Sequence, residues 1–171
     1  MTTIVIQETN YDFLKQYEDQ MLTETVFLNP SFYGNGIENN GAIHRYFLAT
    51  INGQPAGTSA LVKYLNTNDQ TWKIYHRASY TLPEFRGQGI WNSLMLHKLE
   101  YCHTHKLNDS DKTTHHVSCD ISDQRYRNSG WHLHSAKESE ITGKKLFQAT
   151  WFLEWADLKQ LYQFNKSQTV A

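Results

Sequence analysis

Between residues 80 and 92 the chain reads Tyr-Thr-Leu-Pro-Glu-Phe-Arg-Gly-Gln-Gly-Ile-Trp-Asn. Arg86-Gly87-Gln88-Gly89 falls between a β-rich run and a helical one. Two glycines in four residues let the main chain turn tightly and approach a ligand closely. A helix beginning at Ile90 adds unpaired N–H groups and the positive end of its dipole. Together these make an anion site suited to phosphate. A strand-to-helix turn that needs glycine for its shape is the plainer reading of the same residues. Two other phosphate motifs are absent. No GxxxxGK[ST] occurs, and Gly34-x-Gly36 has Asn39 where GxGxxG needs its third glycine.

Nine histidines and two cysteines are the other groups able to do chemistry. His103-x-His105, His115-His116 and His132-x-His134 invite a metal reading, with Cys102 and Cys119 as sulfur ligands. These residues are scattered over separate elements without a standard ligand spacing, so no metal is expected. The histidines read instead as surface and rim groups, and the cysteines as small buried hydrophobes. Five Trp, ten Tyr and eight Phe make 13% of the chain. Most belong to a core. Phe27, Phe32, Tyr33, Trp151 and Trp155 are left as candidates for an aromatic-lined pocket.

The elements that must position these groups follow from hydrophobic period and turn residues. Residues 3–8 read as a strand. From Tyr11 the period becomes helical, through Leu14, Tyr17, Met21 and Leu22, with Asn10 as N-cap. Residues 25–40 carry turn residues and form a long loop or a broken helix. Asn52-Gly53 joins strands 43–51 and 56–65 as a hairpin. After a turn at 66–69, a third strand covers 71–82, and Pro83 ends it. A helix spans 90–105, with Ile90, Leu94, His97 and Tyr101 on one stripe and Met95 and Leu99 beside it. A polar loop, a strand at 115–122 and a short helix at 123–129 ended by Gly130 come next. A second hairpin pairs 131–142 with 145–155, and a terminal helical segment covers 157–164. Adjacent strands mixed with strand–helix–strand units imply an α/β (α+β) fold, a mixed sheet flanked by helices.

Composition limits what such a domain does. The 171 residues suit one domain, 1–171, and 39% hydrophobic content excludes wholesale disorder. Net charge is −1 with 19% charged residues, so no nucleic acid or anionic membrane is expected to bind by charge alone. No CxxC pair, signal peptide, lipidation signature or bilayer-length apolar run is read, which fits a soluble cytoplasmic protein.

The segment from Thr81 to Ile90 resembles the acetyl-CoA-binding motif of the GNAT superfamily of N-acetyltransferases, (Q/R)-x-x-G-x-(G/A). Arg86 fills the first place, Gly89 the fourth and Trp91 the sixth, where the family wants Gly or Ala. Asn52-Gly53-Gln-Pro-Ala-Gly57 looks like a hairpin of that family, and Tyr126-Arg-Asn-Ser-Gly130-Trp131 looks like its Tyr-x-x-x-Gly-Phe. The order of strands also matches over nearly the whole chain. The resemblance implies a central mixed sheet of about seven strands. It implies that the loop amides of Arg86, Gly87, Gln88, Gly89, Ile90, Trp91 and Asn92 cradle the CoA pyrophosphate. It further implies that Tyr80, Thr81 and Leu82 pair through their main chain with pantetheine. Trp91 must either turn its indole away from the cofactor or reshape the groove. Strands 71–82 and 115–122 should lie side by side and splay apart where the cofactor enters.

The implied activity is direct transfer of an acetyl or short acyl group from acetyl-CoA to a primary amine of a small molecule or peptide. Tyr126 matches the family's general acid, and a phenol is protonated at neutral pH. Tyr75 and Arg77 occupy the positions where a base is often found, and neither is a ready base. His76 would face the other side of a regular strand unless a β-bulge redirects it. Asp120, acting through a water, is the other candidate. The alternatives are a non-catalytic CoA-binding or regulatory module of the same fold, or an acyltransferase using a longer acyl-CoA or an acyl carrier protein. A homodimer is compatible with either.

Overall fold

The computed structural model describes residues 3–17, 20, 42–66, 68–107, 113–120, 126, 131–141 and 144–154. Seven strands form one mixed sheet: β1 (Ile4–Thr9), β2 (Ile43–Ile51), β3 (Gln54–Asn66), β4 (Thr71–Thr81), β5 (Thr114–Asp120), β6 (His132–Ile141) and β7 (Lys144–Glu154). Their order across the sheet is β1-β2-β3-β4-β5-β7-β6. Only β4 and β5 pair in parallel; all other neighbours are antiparallel. Helices α1 (Tyr11–Lys15) and α2 (Ile90–Thr104) complete the described elements, with a 3-10 turn at Pro83–Phe85.

Local chemistry explains these boundaries. Asn10 caps α1 by accepting a hydrogen bond from the Phe13 N–H at 2.9 Å. Asn52 and Gly53 both take positive φ, at 50° and 78°, which is the turn that matches strand twist in a two-residue hairpin. Pro83 cannot continue a ladder, and β4 ends two residues before it. The described elements follow the expected order, and the mixed seven-stranded sheet is as expected. The loop at 25–40, with Phe27, Phe32 and Tyr33, lies outside the described residues. So do Met21, Leu22, Trp155, the helix at 157–164 and, apart from Tyr126, the helix at 123–129.

The sheet is covered differently on its two faces. Toward α2, Phe47, Ala49, Ile51, Leu61 and Ile74 pack with Ile90, Leu94, Cys102 and Leu107. Toward α1, Leu14, Tyr80 and Leu82 form a second cluster with Tyr11, Phe13, Tyr17 and Tyr46 around it. Gly57 lets α2 sit down on β3. A Cβ there would stand 2.6 Å from Ile90 Cγ2 and 2.9 Å from the Tyr80 carbonyl oxygen.

The α2 stripe differs from the expected one. Ile90, Leu94, Lys98 and Cys102, spaced by four, are buried, with Met95 and Leu99 beside them. His97 and Tyr101 are half-buried at its margin. A lysine therefore stands in the middle of the apolar stripe.

Candidate active site at the splay of β4 and β5

The parallel pairing of β4 and β5 covers four positions: Lys73 with Thr114, Ile74 with His115, Tyr75 with His116, and His76 with Val117. β4 runs on to Thr81 and β5 to Asp120, but they no longer pair. The two strands are neighbours that part at one end, as expected. Such strand ends are where ligands enter open sheets. β5 keeps its other partner throughout, and Asp120 at its splayed end pairs with Gln148 of β7.

The glycine loop follows the splayed end of β4. Gly87 and Gly89 have φ of +77° and +79°, and a Cβ at Gly89 would meet nothing within 4 Å. The constraint at Gly89 is thus backbone conformation, not space. The first intrahelical bond of α2 runs from the Ser93 N–H to the Gly89 carbonyl at 3.0 Å. Ile90, Trp91 and Asn92 lie ahead of it, so their N–H groups have no acceptor within the helix. Gly87, Gln88, Gly89 and Asn92 are exposed, whereas Ile90 is buried under β3.

Three of the expected main-chain contacts, at Tyr80, Leu82 and Arg86, are corrected by the hydrogen bonds. The Leu82 N–H is taken by the Ala56 carbonyl at 3.0 Å, so it faces β3 and not the opening. Main-chain groups alternate sides along a strand, which turns Thr81 toward the opening and Tyr80 toward β3. The Arg86 N–H is taken by the Pro83 carbonyl at 3.3 Å. Arg86 serves the loop through its side chain instead. Its Nε donates to the Thr81 carbonyl at 3.1 Å, and its guanidinium lies 5.7 Å from the Tyr80 ring centroid.

The Trp91 indole turns to Tyr126, edge to face at 5.7 Å between ring centroids. Tyr126 is 3% exposed and meets Trp131 in the same manner at 5.5 Å. Trp131 in turn stands edge-on to His76 at 6.2 Å. A row of rings thus joins the start of α2 to the last paired rung of β4.

A bulge in β4 sets which side chains face which way. Thr58 pairs with Tyr80 but Ala60 with Arg77, so β4 carries one extra residue between them. The bulge lies beyond His76 and leaves its direction unchanged. His76 faces α2, away from Tyr75 and Arg77 on the opposite face. There His76 Nε2 and His115 Nδ1 lie 2.7 Å apart, one donating and the other accepting. The bulge brings Ser79 to the same face, where its hydroxyl meets Ser59 Oγ at 2.8 Å and Lys98 Nζ at 3.3 Å.

Burial disfavours the charged forms throughout this polar group. Desolvation pushes the Lys98 ammonium down to about 7 and His115 down to about 3, and holds His76 well below the ordinary imidazole range. His116, on the other face, is pushed down to about 4, mainly by burial and then by the Lys73 charge. His115 and His116 are therefore not surface groups, contrary to expectation, whereas His103, His105, His132 and His134 are exposed. Adjacent strand residues face opposite sides, so a His-His pair must send one ring into each layer. Cys102 and Cys119 are buried and form no disulfide with each other. Among the described residues no three His, Cys, Asp or Glu side chains are grouped to hold a metal, and no helix is long and apolar enough to cross a membrane.

Comparisons with known proteins match this geometry at the level of fold. No family model and no curated protein matches the sequence. Among solved structures, FeeM, an N-acyl amino acid synthase from uncultured soil microbes, is similar with a TM-score of 0.69 at 12% identity, covering 96% of this chain and 99% of that one. Arabidopsis thaliana NAA60 in complex with acetyl-CoA is similar with a TM-score of 0.66 at 12% identity, covering 90% and 99%. Spermidine N-acetyltransferase from Vibrio cholerae, in complex with CoA and spermine, is similar with a TM-score of 0.63 at 15% identity, covering 91% and 98%. The chain has the GNAT acyl-CoA N-acyltransferase fold.

Lys98 makes stability depend on pH. Its folded pKa of about 7 lies below its ordinary value of 10.5, so between the two the unfolded chain holds a proton that the folded chain lacks. Stability then rises with pH across that window, by up to about 1.4 kcal/mol per pH unit. Lys98→Met keeps the stem and removes the ionising group. Denaturant unfolding at pH 7 to 10 should show this rise in the parent and a flatter profile in the variant. An equal slope in both would contradict the lowered pKa of Lys98.

Proposed function

We propose that residues 1–171 form one domain that acts as a CoA-dependent N-acyltransferase, moving an acetyl or short acyl group to a primary amine of a small molecule or peptide. The observation that carries this reading is the placement of a positive-φ glycine loop and a helix start directly after the strand that parts from β5. Those features suit a diphosphate with an extended arm, which is the shape of CoA. Similarity to acetyltransferase structures with acetyl-CoA or CoA bound supports it. A cytoplasmic setting is part of this reading, since a chain with two cysteines and no CxxC pair suits a reducing compartment.

In this reading the amides of Gly87, Gln88, Gly89, Ile90, Trp91 and Asn92 hold the pyrophosphate. The Thr81 main chain meets the pantetheine arm, and Arg86 braces the loop against Thr81. Acetyl-CoA supplies the acyl group as a thioester. The C–N bond forms as the C–S bond breaks, so one proton must leave the amine and one must reach the sulfur. Tyr126 is the candidate acid, and Trp91 and Trp131 fix its ring. The face that β4 turns toward α1 presents Tyr75 and Arg77 rather than a carboxylate. Asp120, at the splayed end of β5, remains the candidate base acting through water. His76 is turned to the α2 face and bonded to His115, so its role here is to close the last rung, not to accept the amine proton.

Titration calorimetry tests the loop. Gly89→Val forces a β-branched residue into positive φ on an exposed loop, and acetyl-CoA affinity should fall about tenfold or more with the fold retained. Unchanged affinity in a folded variant would sink the assignment.

Steady-state kinetics test the acid. Tyr126→Phe should lower kcat by about 10²–10⁴-fold while acetyl-CoA affinity changes little. Full kcat would make Tyr126 part of the scaffold.

A further inference from the structure

The bulge in β4 is held by buried polar side chains to which the reaction above gives no part. Ser59 of β3 stands opposite two residues of β4, Ala78 and Ser79, where a regular ladder would give it one. Its hydroxyl donates to the Arg77 carbonyl at 3.4 Å. The Ser79 hydroxyl lies 2.8 Å from Ser59 Oγ, and Lys98 Nζ donates to Ser79 Oγ at 3.3 Å. A hydroxyl has one proton to give, and Ser59 gives its own to Arg77. Ser79 is then the donor between the two serines. The bonds run in one direction, from Lys98 through Ser79 and Ser59 to the Arg77 carbonyl, and tie down the residues on either side of Ala78. Lys98 and Ser59 are both 0% exposed. Burying an amine in the middle of an apolar stripe carries a cost that an apolar side chain of the same length would not.

What these bonds hold faces the opening. The Leu82 N–H points to β3. Alternation along the strand turns the main chain of Tyr80 the same way, and those of Thr81 and Ser79 toward the gap. The glycine loop lies beyond Thr81, and the last rung with β5 lies at His76. An arm that leaves its diphosphate on the loop and runs down β4 therefore meets Thr81 before Ser79. The thioester at the far end of that arm comes to rest at Ser79, close to the last rung. Its carbonyl oxygen gains negative charge as the amine attacks. A donor aimed at that oxygen is worth most when it is fixed beforehand. An extra residue in a strand that has lost its β5 partner would loosen this amide unless side chains held it.

We propose that Lys98 is a positioning residue for acyl transfer: through Ser79 and Ser59 it locks the β4 bulge, which aims the Ser79 main-chain N–H at the carbonyl of the thioester in the gap. The inference rests on the acyltransferase reading.

The test is the infrared stretch of acetyl-CoA, isotope-labelled at its thioester carbonyl carbon and bound to the protein. A hydrogen bond to that oxygen weakens the C=O bond and lowers its stretch. Lys98→Met keeps the stem and removes the donor. Ser79→Ala removes the hydroxyl that links Lys98 to Ser59, and Ser79→Thr keeps it. Calorimetry and thermal unfolding on the same preparations read acetyl-CoA affinity and the folded state. The stretch should be lowest in the parent and in Ser79→Thr, and higher in Lys98→Met and Ser79→Ala. The double variant should go no further than either single one, because the two side chains act as one unit. Acetyl-CoA affinity should change little, whereas kcat should fall about 10–10²-fold in Lys98→Met and Ser79→Ala. An unchanged stretch in folded Lys98→Met and Ser79→Ala would overturn the proposal, as would additive shifts in the double variant. If Lys98→Met does not fold, the contrast between Ser79→Ala and Ser79→Thr decides alone. Failure of the parent to bind acetyl-CoA would be a different result, removing the acyltransferase reading and this inference with it.

Discussion

Two parallel strands that share hydrogen bonds at one end and separate at the other leave main-chain groups without partners in the sheet. β4 and β5 do this after the rung of His76 and Val117. Buried main-chain groups need partners, so such a gap persists only where water or a ligand satisfies it. Everything placed around the gap follows from that need. The bulge in β4 turns the strand just past the last rung. The hydrogen bond between His76 and His115 ties the two strands together immediately before they part. The Arg86 side chain then fastens the loop back onto the separated strand at Thr81.

The two faces of the sheet divide the work. Toward α2, the gap is backed by an apolar core that holds a lysine whose charge burial disfavours, two imidazoles held below their ordinary range and two serine hydroxyls. Burying such groups costs least when they shed charge and hydrogen-bond to one another. Their bonds run across β3, β4, β5 and α2, so they fix the register of four elements at the place where regular pairing stops. Toward α1, the surface is aromatic and cationic, with Lys73 already held by Asp69 at 3.0 Å and Arg77 standing nearest the opening.

Much of this arrangement was legible in the sequence because it rests on local chemistry. Asn52-Gly53 marks a hairpin, Asn10 caps a helix, and Arg86-Gly-Gln-Gly89 between strand and helix marks an anion loop. What was not legible depends on pairing between distant segments. Nothing in the residues around Ala78 and Ser79 announces a bulge, so the turn of Ser79 toward α2 could not be read. Lys98 sits four residues from Leu94 and four from Cys102, on the buried stripe itself. Its charge places it on a solvated face by default, and only the serines of β3 and β4 explain its burial. The inward turn of His115 needs the parallel register of β4 and β5. The main-chain directions of Tyr80, Leu82 and Arg86 were not legible, because amide direction depends on the pairing of β3 and on the 3-10 turn.

Hydrogen exchange of the intact protein with and without saturating acetyl-CoA addresses the central claim, that CoA lies in the gap and over the glycine loop. The account predicts slower exchange on binding at Thr81 and at residues 87–92, with no change in the rungs between β1 and β2. Binding that leaves those amides unprotected, or that protects a different part of the sheet, would contradict it.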